Sequence, residues 1–565
     1  MTWLHRWLVD LFNALAAAYY RRKYGAAARQ LGRSPHEAEG ERRAFVIIEI
    51  DGLAHEHLLQ ALRAGYMPYL SRLILSRNLN LTRWRCGLPS TTPASQAGIL
   101  YGNNWDIPGF RWYEKETGES IMCKLPGVVR TIQERIAAGR AGLLRGGSSY
   151  TNMFDGDARL SLFTLSALGR HRLFENVRGL GFLILFGLSP LRLIRVVGLS
   201  LWAWLAYVVK RFVAWIRSGP RKSKFTFLGP LLEIFSVMID IYRGMPAIYA
   251  AYTGYDEIAH HFGADSQEAL RALRGIDKQI RQIDRIRQLY TEHQYDLYIL
   301  SDHGMTNSLP FLWAYGQTLD QFLAEHTGQE VESSEGSGES EGQPEVRVQF
   351  LLEELRGLEE RPHRPLSAQL LRATRQRLEA RLLAEALEEE WDLSRRGSIA
   401  VRNSGSLSHV YFDVAAHPMD LSEVALIYPS LLGALIAHEG IGLVVGRDGD
   451  EVVLAGRHGT LRIGPTKRRL EGQDPLDGLS DPRWAAEQVA RVARFPHAGD
   501  LILLGAMDGE RVICFEEQVA SHGGLGGAQV WPFLAWTRGA GLGGRGIKNS
   551  EEVYARLLRI YGDYQ

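Results

Sequence analysis

Short clusters of carboxylates and imidazoles stand at the ends of apolar runs far apart in the chain, and this ordered set constrains the fold more than any other feature. They are Asp51 after Phe45-Val46-Ile47-Ile48-Glu49-Ile50, the segment Asp256-Glu257-Ile258-Ala259-His260, the pair Asp302-His303, and His522. A hydroxyl cluster, Ser90-Thr91-Thr92-Pro93, lies between the first two. Three carboxylates and three imidazoles suit two borderline divalent cations such as zinc, and a hydroxyl beside them suits a metal-activated nucleophile.

The runs themselves set the architecture. Residues 44–51 form a buried-type strand ending in a carboxylate, and Pro68 to Ser76 follows with a short helical pattern. The run Gln96 to Tyr101 comes after Thr92-Pro93, where Thr suits the N-cap and Pro the first helical position. Ala247 to Thr253 and Asp296 to Leu300 read as two more strands, with a helix from Asp265 to Glu292 between them. Strand–helix–strand alternation with chemistry at the C-terminal strand ends gives an α/β fold: an open, mostly parallel sheet flanked by helices and carrying two large insertions.

The chain divides accordingly into core parts at 41–155, 246–311 and 497–565, an amphipathic N-terminal segment at 1–40, and insertions at 156–245 and 312–496. The first insertion is basic and apolar. Between Glu175 and Glu233 it has nine Lys/Arg and no Asp or Glu. Its uncharged runs, Gly179 to Leu191 and Val196 to Val209, are each shorter than the roughly 20 residues a spanning helix needs. They read as a hairpin embedded in one leaflet, with Lys210, Arg211, Arg217, Arg221, Lys222 and Lys224 against anionic headgroups. A helical cap on the enzyme or an oligomer interface are the alternatives. The second insertion is cap-like: it opens on an acidic Ser/Gly-rich linker, Glu330 to Glu345, followed by a charged helical region from Val346 to Trp391 and a β-rich part from Val444 to Ile463. The core is expected to return at Gly499 to Leu504, a strand leading toward His522.

With 565 residues the chain can bury a large core, and a net charge of +1 provides no global field for nucleic acid; no nucleic-acid-binding module is seen. Cys86, Cys123 and Cys514 are too few for a disulfide framework and lack zinc-type spacing. Met1 to Tyr20 carries Arg6 and Asp10 and has no clean signal-peptide centre. Its Trp3, Leu4, Trp7, Leu8, Leu11, Phe12 and Leu15 recur at helical spacing instead, which suits a helix lying on a membrane or on the protein's own body. A membrane-associated protein, peripheral or monotopic and on the cytoplasmic side, is the expectation.

Each cluster alone is a weak signal. Asp302-His303-Gly304 follows four strand-type residues, so a strand end holds both side chains and Gly304 lets the chain turn away. Asp256 and His260 are four apart and share a face if the segment is helical, which favours His260 over its neighbour His261. His522 sits in Ser521-His522-Gly523-Gly524, where small neighbours allow close approach to a metal. His55 and His57 fall on the helical side of the turn after Asp51 and are left out of the ligand set.

Taken in order, strand-Asp, Thr before a helix, Asp-x-x-x-His, Ser-Asp-His-Gly and a late His-Gly resemble the alkaline phosphatase superfamily. The branch is that of the type I phosphodiesterases and nucleotide pyrophosphatases. The resemblance covers roughly 44–115, 246–310 and 497–535 and not the insertions. It implies that Asp51, the nucleophile, Asp302 and His303 hold one metal, and that Asp256, His260 and His522 hold the other. It also implies two divalent cations, zinc or manganese. For the nucleophile it leaves two candidates. The family's distance to a helix-ending Gly selects Thr92 through Gly102, whereas a Thr-x-Pro pattern selects Thr91 through Pro93. The chain departs from the diesterase pattern in having Pro93-Ala94-Ser95-Gln96 where Phe-Pro-Asn-His is frequent, and Pro108-Gly109 in place of His-Gly. No Cys-x-Pro-x-Arg motif occurs, which disfavours the sulfatase branch.

The expected activity is a two-metal phosphoesterase acting on a phosphodiester, lipid-linked in view of the basic apolar insertion, through a covalent phospho-threonine. A phosphomonoesterase of the same fold and a membrane-associated non-catalytic scaffold are the rival readings. Partners are a phosphate-ester substrate and a membrane surface.

Overall fold

The computed structural model describes residues 43–167, 237, 240–241, 244–289, 294–332, 399–543 and 546–562. The N-terminal amphipathic segment, the apolar runs at 179–209 and the charged region at 346–391 lie outside these residues, as does the acidic linker beyond Glu332.

A seven-stranded sheet forms the centre. Its strands are β1 (Arg43–Ile50), β2 (Leu79–Arg83), β3 (Ser148–Tyr150), β4 (Leu160–Leu162), β5 (Ala247–Tyr252), β6 (Gln294–Leu300) and β7 (Phe533–Thr537), in the spatial order β2-β7-β6-β1-β5-β3-β4. β1 lies parallel to both β5 and β6, and only the β2 and β7 pairings are antiparallel. The fold is thus α/β with a mostly parallel sheet flanked by helices, as the strand–helix alternation predicts.

Every residue of β1 after Arg43 is buried, because both faces of the sheet are covered. Phe45 and Ile47 pack into one core and Ala44, Val46, Ile48 and Ile50 into the other, the alternation a strand imposes. The register pairs Ile50 with Tyr252 and Glu49 with Leu300. Asp51 and Asp302 therefore leave the sheet at the same edge.

Four helices matter for that edge: α1 (His55–Arg63), α2 (Thr92–Tyr101), α3 (Gly254–Phe262) and α4 (Gln267–Leu289). α2 is buried from Pro93 to Tyr101 and ends where Gly102 turns left-handed at φ 62°. Its N-terminus differs by one residue from the expectation. Thr91, extended at φ −128° and ψ 152°, is the N-cap, and Thr92 is the first helical residue. Proline cannot distinguish these phases, since the first N–H groups of any helix lack intrahelical partners and Pro93 costs none of them.

A second sheet of eight strands is built from residues 331–332 and 399–505. Leu501–Gly505, read from sequence as a return to the core, belongs here. It runs antiparallel between Leu407–Phe412 and Ile441–Asp448. An apolar run fits a covered strand in either sheet, so its composition could not choose between them. The chain reaches His522 through a four-stranded sheet in which Ala520–Ser521 pairs with Thr306–Pro310, the strand that follows His303. One continuous core joins α2, through Ala94, Ala97 and Ile99, to Leu443, Val445, Trp484 and Val489 of the second unit. Among the described residues no helix is long and apolar enough to cross a membrane, and the three cysteines are buried and in no disulfide.

Candidate active site

The six candidate ligand residues gather above the C-terminal ends of β1, β5 and β6, five of them in two close groups and His260 beside Asp256. Two buried groups have ligand atoms within 4.8 Å of one another: Asp51, Asp302 and His303, and Asp256, His303 and His522. His303 belongs to both. Its Nε2 stands 3.5 Å from Asp51 Oδ1 and 3.4 Å from Asp302 Oδ2. On α3 the four-residue spacing works as a helix dictates, with His260 Nε2 3.1 Å from Asp256 Oδ2. His522 Nε2 lies 3.8 Å from Asp256 Oδ1, and its ring stacks on that of His303 at a centroid distance of 3.9 Å. His261, next to His260, is exposed.

All three imidazoles are held in the same way. Nδ1 donates to a backbone carbonyl: Gly304 O for His303 at 2.9 Å, Ala520 O for His260 at 2.8 Å, and Ser90 O for His522 at 2.9 Å. A carbonyl cannot donate, so each Nδ1 carries the proton and each Nε2 presents its lone pair toward the carboxylates. This is how imidazole ligands of metals are oriented. Burial lowers the His303 pKa against the opposing pull of Asp302, which favours the neutral form. Asp302 Oδ1 accepts a bond from Gly52 N at 3.3 Å, while buried Oδ2 accepts none among the described residues. Three buried carboxylates facing three acceptor nitrogens leave a surplus of negative and lone-pair charge that divalent cations would neutralise. The donor set, oxygen with imidazole, fits zinc or manganese.

Gly52 makes the convergence geometrically allowed, and sequence reading passed over it. At φ 69° it occupies the left-handed region, and a Cβ there would collide with Asp256 Oδ1. The only signal in the sequence is a glycine directly after a strand-ending aspartate.

The two threonines part company. Thr92 is half-buried, with Oγ1 3.1 Å from His303 Nε2 and 3.5 Å from Asp51 Oδ1. Thr91 is fully buried, and its Oγ1 has no hydrogen-bond partner among the described residues. Ser90, the third hydroxyl of the cluster, is structural. Its Oγ donates to Gly524 O at 2.8 Å, and its backbone exchanges bonds with Gly523, so it anchors the His522 loop. Beneath the ligands lies Glu49, also overlooked from sequence and wholly buried. Burial and then Asp302 push its carboxyl well above the usual range, opposed by hydrogen bonds from Tyr249 and Gln96. His57 is buried on α1 beside Glu56 and outside both ligand groups.

Comparison with known proteins finds likeness over part of the site. No curated protein matches the chain in sequence. In structure it is similar to phosphonoacetate hydrolase from Sinorhizobium meliloti 1021 bound to phosphonoformate, at 14% identity over 92% of this chain and 96% of that one, with a TM-score of 0.43. It is also similar to murine ectonucleotide pyrophosphatase / phosphodiesterase 5, at 11% identity over 92% and 95%, with a TM-score of 0.41. Likeness at that level says nothing about substrate. The family model "Type I phosphodiesterase / nucleotide pyrophosphatase" matches residues 238–407. That span contains Asp256, His260, Asp302 and His303 and leaves out Asp51, Thr91, Thr92 and His522. Over residues 238–407, under a third of the chain, the sequence is thus similar to that family.

Proposed function

We propose that this protein is a two-metal phosphoesterase that cleaves phosphodiesters with Thr92 as nucleophile. The observation that carries the reading is the position of Thr92 Oγ1, within 3.5 Å of both His303 Nε2 and Asp51 Oδ1, beside two ligand groups that share His303. Asp51, Asp302, His303 and Thr92 would hold one cation, and Asp256, His260 and His522 the other. Such a pair supplies Lewis acidity to the phosphoryl oxygens and lowers the pKa of the hydroxyl.

The remaining work falls to the chain. Thr92 sits in the first turn of α2, where the helix dipole favours negative charge as its proton leaves. The hydroxyl proton passes to solvent as Oγ1 attacks phosphorus in line with the leaving oxygen; that oxygen takes a proton from water and departs as an alcohol, and the phosphoryl group, still carrying its second ester, rests on Thr92. Water then cleaves the Oγ1–phosphorus bond and restores the hydroxyl. Thr91, with no exposed surface, holds the helix start instead.

The basic, acid-free stretch from Arg178 to Pro230 supports a lipid-linked phosphate as the physiological substrate and a membrane surface as partner. The deciding assay compares bis(p-nitrophenyl) phosphate with p-nitrophenyl phosphate, each with zinc or manganese. Faster turnover of the diester is expected. Preference for the monoester would make the protein a phosphomonoesterase, and no hydrolysis of either would leave a non-catalytic scaffold.

A further inference from the structure

Two buried polar side chains beneath the ligands are used neither by the cation groups nor by the hydroxyl. Glu49 interrupts the apolar run of β1 two residues before Asp51, and Gln96 follows Thr92 by one turn of α2. Gln96 Nε2 donates to Glu49 Oε1 at 2.6 Å, and its Oε1 accepts the Met153 N–H at 2.8 Å. The Tyr249 hydroxyl, from β5, donates to Glu49 Oε2. All three side chains are essentially inaccessible.

We propose that the Glu49–Gln96 bond is a positioning device. It fixes the height and rotation of α2 against β1 and so places Thr92 Oγ1 relative to Asp51 and His303. This rests on the reading of Thr92 as nucleophile. Near Thr92 the helix packs largely on apolar residues, with Ala94, Ala97, Ile99 and Leu100 in one core cluster, while Tyr101, bonded to Asp155 and Asp157, anchors its far end. Apolar contact is non-directional and tolerates a helix that slides or rotates slightly. A short bond to a carboxylate does not, because its length and angle define one position. The bond lies one helical turn from Thr92 and one strand repeat from Asp51, so it constrains the two elements just where their relative placement matters. Misplacement of a reacting group by about 1 Å costs on the order of 100-fold in rate.

The test is a double-mutant cycle in the full-length, metal-loaded protein: Glu49→Gln, Gln96→Glu, and the two combined. In Glu49→Gln one amide oxygen must serve two donors: facing Gln96 it leaves the Tyr249 hydroxyl without its acceptor, and facing Tyr249 it sets NH2 against NH2 unless Gln96 flips and turns its own NH2 on Met153 N. The combined swap satisfies every bond again with polarity reversed: Tyr249 donates to the introduced amide oxygen, that amide donates to the introduced carboxylate, and Met153 N donates to the second carboxylate oxygen. Each single variant should lose about 10- to 100-fold in kcat, with KM and bound metal per chain unchanged, and the swap should recover kcat. Singles with full kcat overturn the proposal, as does a swap that restores melting temperature but not kcat. Should a single variant fail to fold, the kcat of the swap against the native enzyme decides. Thr92→Ala, assayed alongside, separates the two levels. An active Thr92→Ala removes the nucleophile reading, whereas a dead Thr92→Ala with a flat cycle removes only the positioning role.

Discussion

His303 Nε2 stands 3.1 Å from Thr92 Oγ1, and because His303 Nδ1 is committed to Gly304 O, the nitrogen facing the hydroxyl is the one that carries the lone pair. The same nitrogen faces Asp51 and Asp302. A hydroxyl so placed shares its surroundings with the first ligand group. Thr92→Ala should therefore lower kcat on the order of 10³-fold or more, while Asp51, Asp302 and His303 still hold the first cation at reduced affinity. Thr91→Ala should retain turnover, since its Oγ1 makes no hydrogen bond among the described residues. Steady-state kinetics with metal analysis of both variants checks this, and the reverse pattern would make Thr91 the nucleophile.

Cation removal should destabilise the fold as well as silence it. Asp51, Asp256 and Asp302 are buried within reach of one another through His303, and without cations their charges repel. A ligand at 100 times its Kd contributes about 2.7 kcal/mol. Dialysis against a chelator should lower the melting temperature and abolish hydrolysis, and zinc or manganese should restore both. A melting temperature indifferent to chelator and metal would contradict the ligand assignment.

Gly52→Ala tests the close approach of the Asp51 turn to α3. The left-handed conformation alone costs an L-residue about 1–2 kcal/mol, and the added Cβ must displace Asp256 Oδ1. The variant should lose affinity for the cation held by Asp256, His260 and His522 while the Asp51 group is less affected. Calorimetric metal titration should show one weakened site; two intact sites would mean that the turn yields without moving Asp256.

A histidine away from the site carries a pH signature. His497 Nδ1 lies 2.6 Å from Asp106 Oδ2, and that hydrogen bond raises its pKa against the effect of partial burial, with Glu114 adding to the rise and Arg135 opposing it. A folded pKa above the unfolded value means a stabilising contribution fully present below the unfolded pKa near 6.5, which fades as pH rises through the folded value. Stability measured by urea denaturation should fall from pH 6 toward pH 8 by a component that His497→Gln lacks. Equal pH slopes for the two proteins would refute the linkage.

The proposed membrane contact rests on the sequence of 179–216, where Trp202, Trp204 and Trp215 bring rings suited to the headgroup level. The full-length protein should sediment with anionic vesicles at low salt, and deletion of 179–216 should release it while hydrolysis of a soluble diester persists. A full-length protein that stays in the supernatant would make this segment a cap or an oligomer contact.

Much of the site was legible because strands and helices have fixed periods. The run from Phe45 to Ile50 announces a covered strand that must end at Asp51, and the spacing of Asp256 and His260 announces a shared helical face. What the sequence concealed was relational. Proline at position 93 fits either of two helical phases, so the exchange of N-cap between Thr91 and Thr92 was not readable. The strand Leu501–Gly505 could join either sheet, and only its antiparallel partners place it in the second. The role of Glu49 was not readable because Gln96 and Tyr249, which hydrogen-bond it, come from distant segments.

The most direct test of the central claim is the number of divalent cations bound per chain, titrated together with turnover of bis(p-nitrophenyl) phosphate. The two ligand groups that meet at His303 predict two cations per chain, with hydrolysis rising as both sites fill. Diester hydrolysis at full rate in metal-free protein, or full occupancy by two cations with no hydrolysis of any phosphate ester, would contradict it.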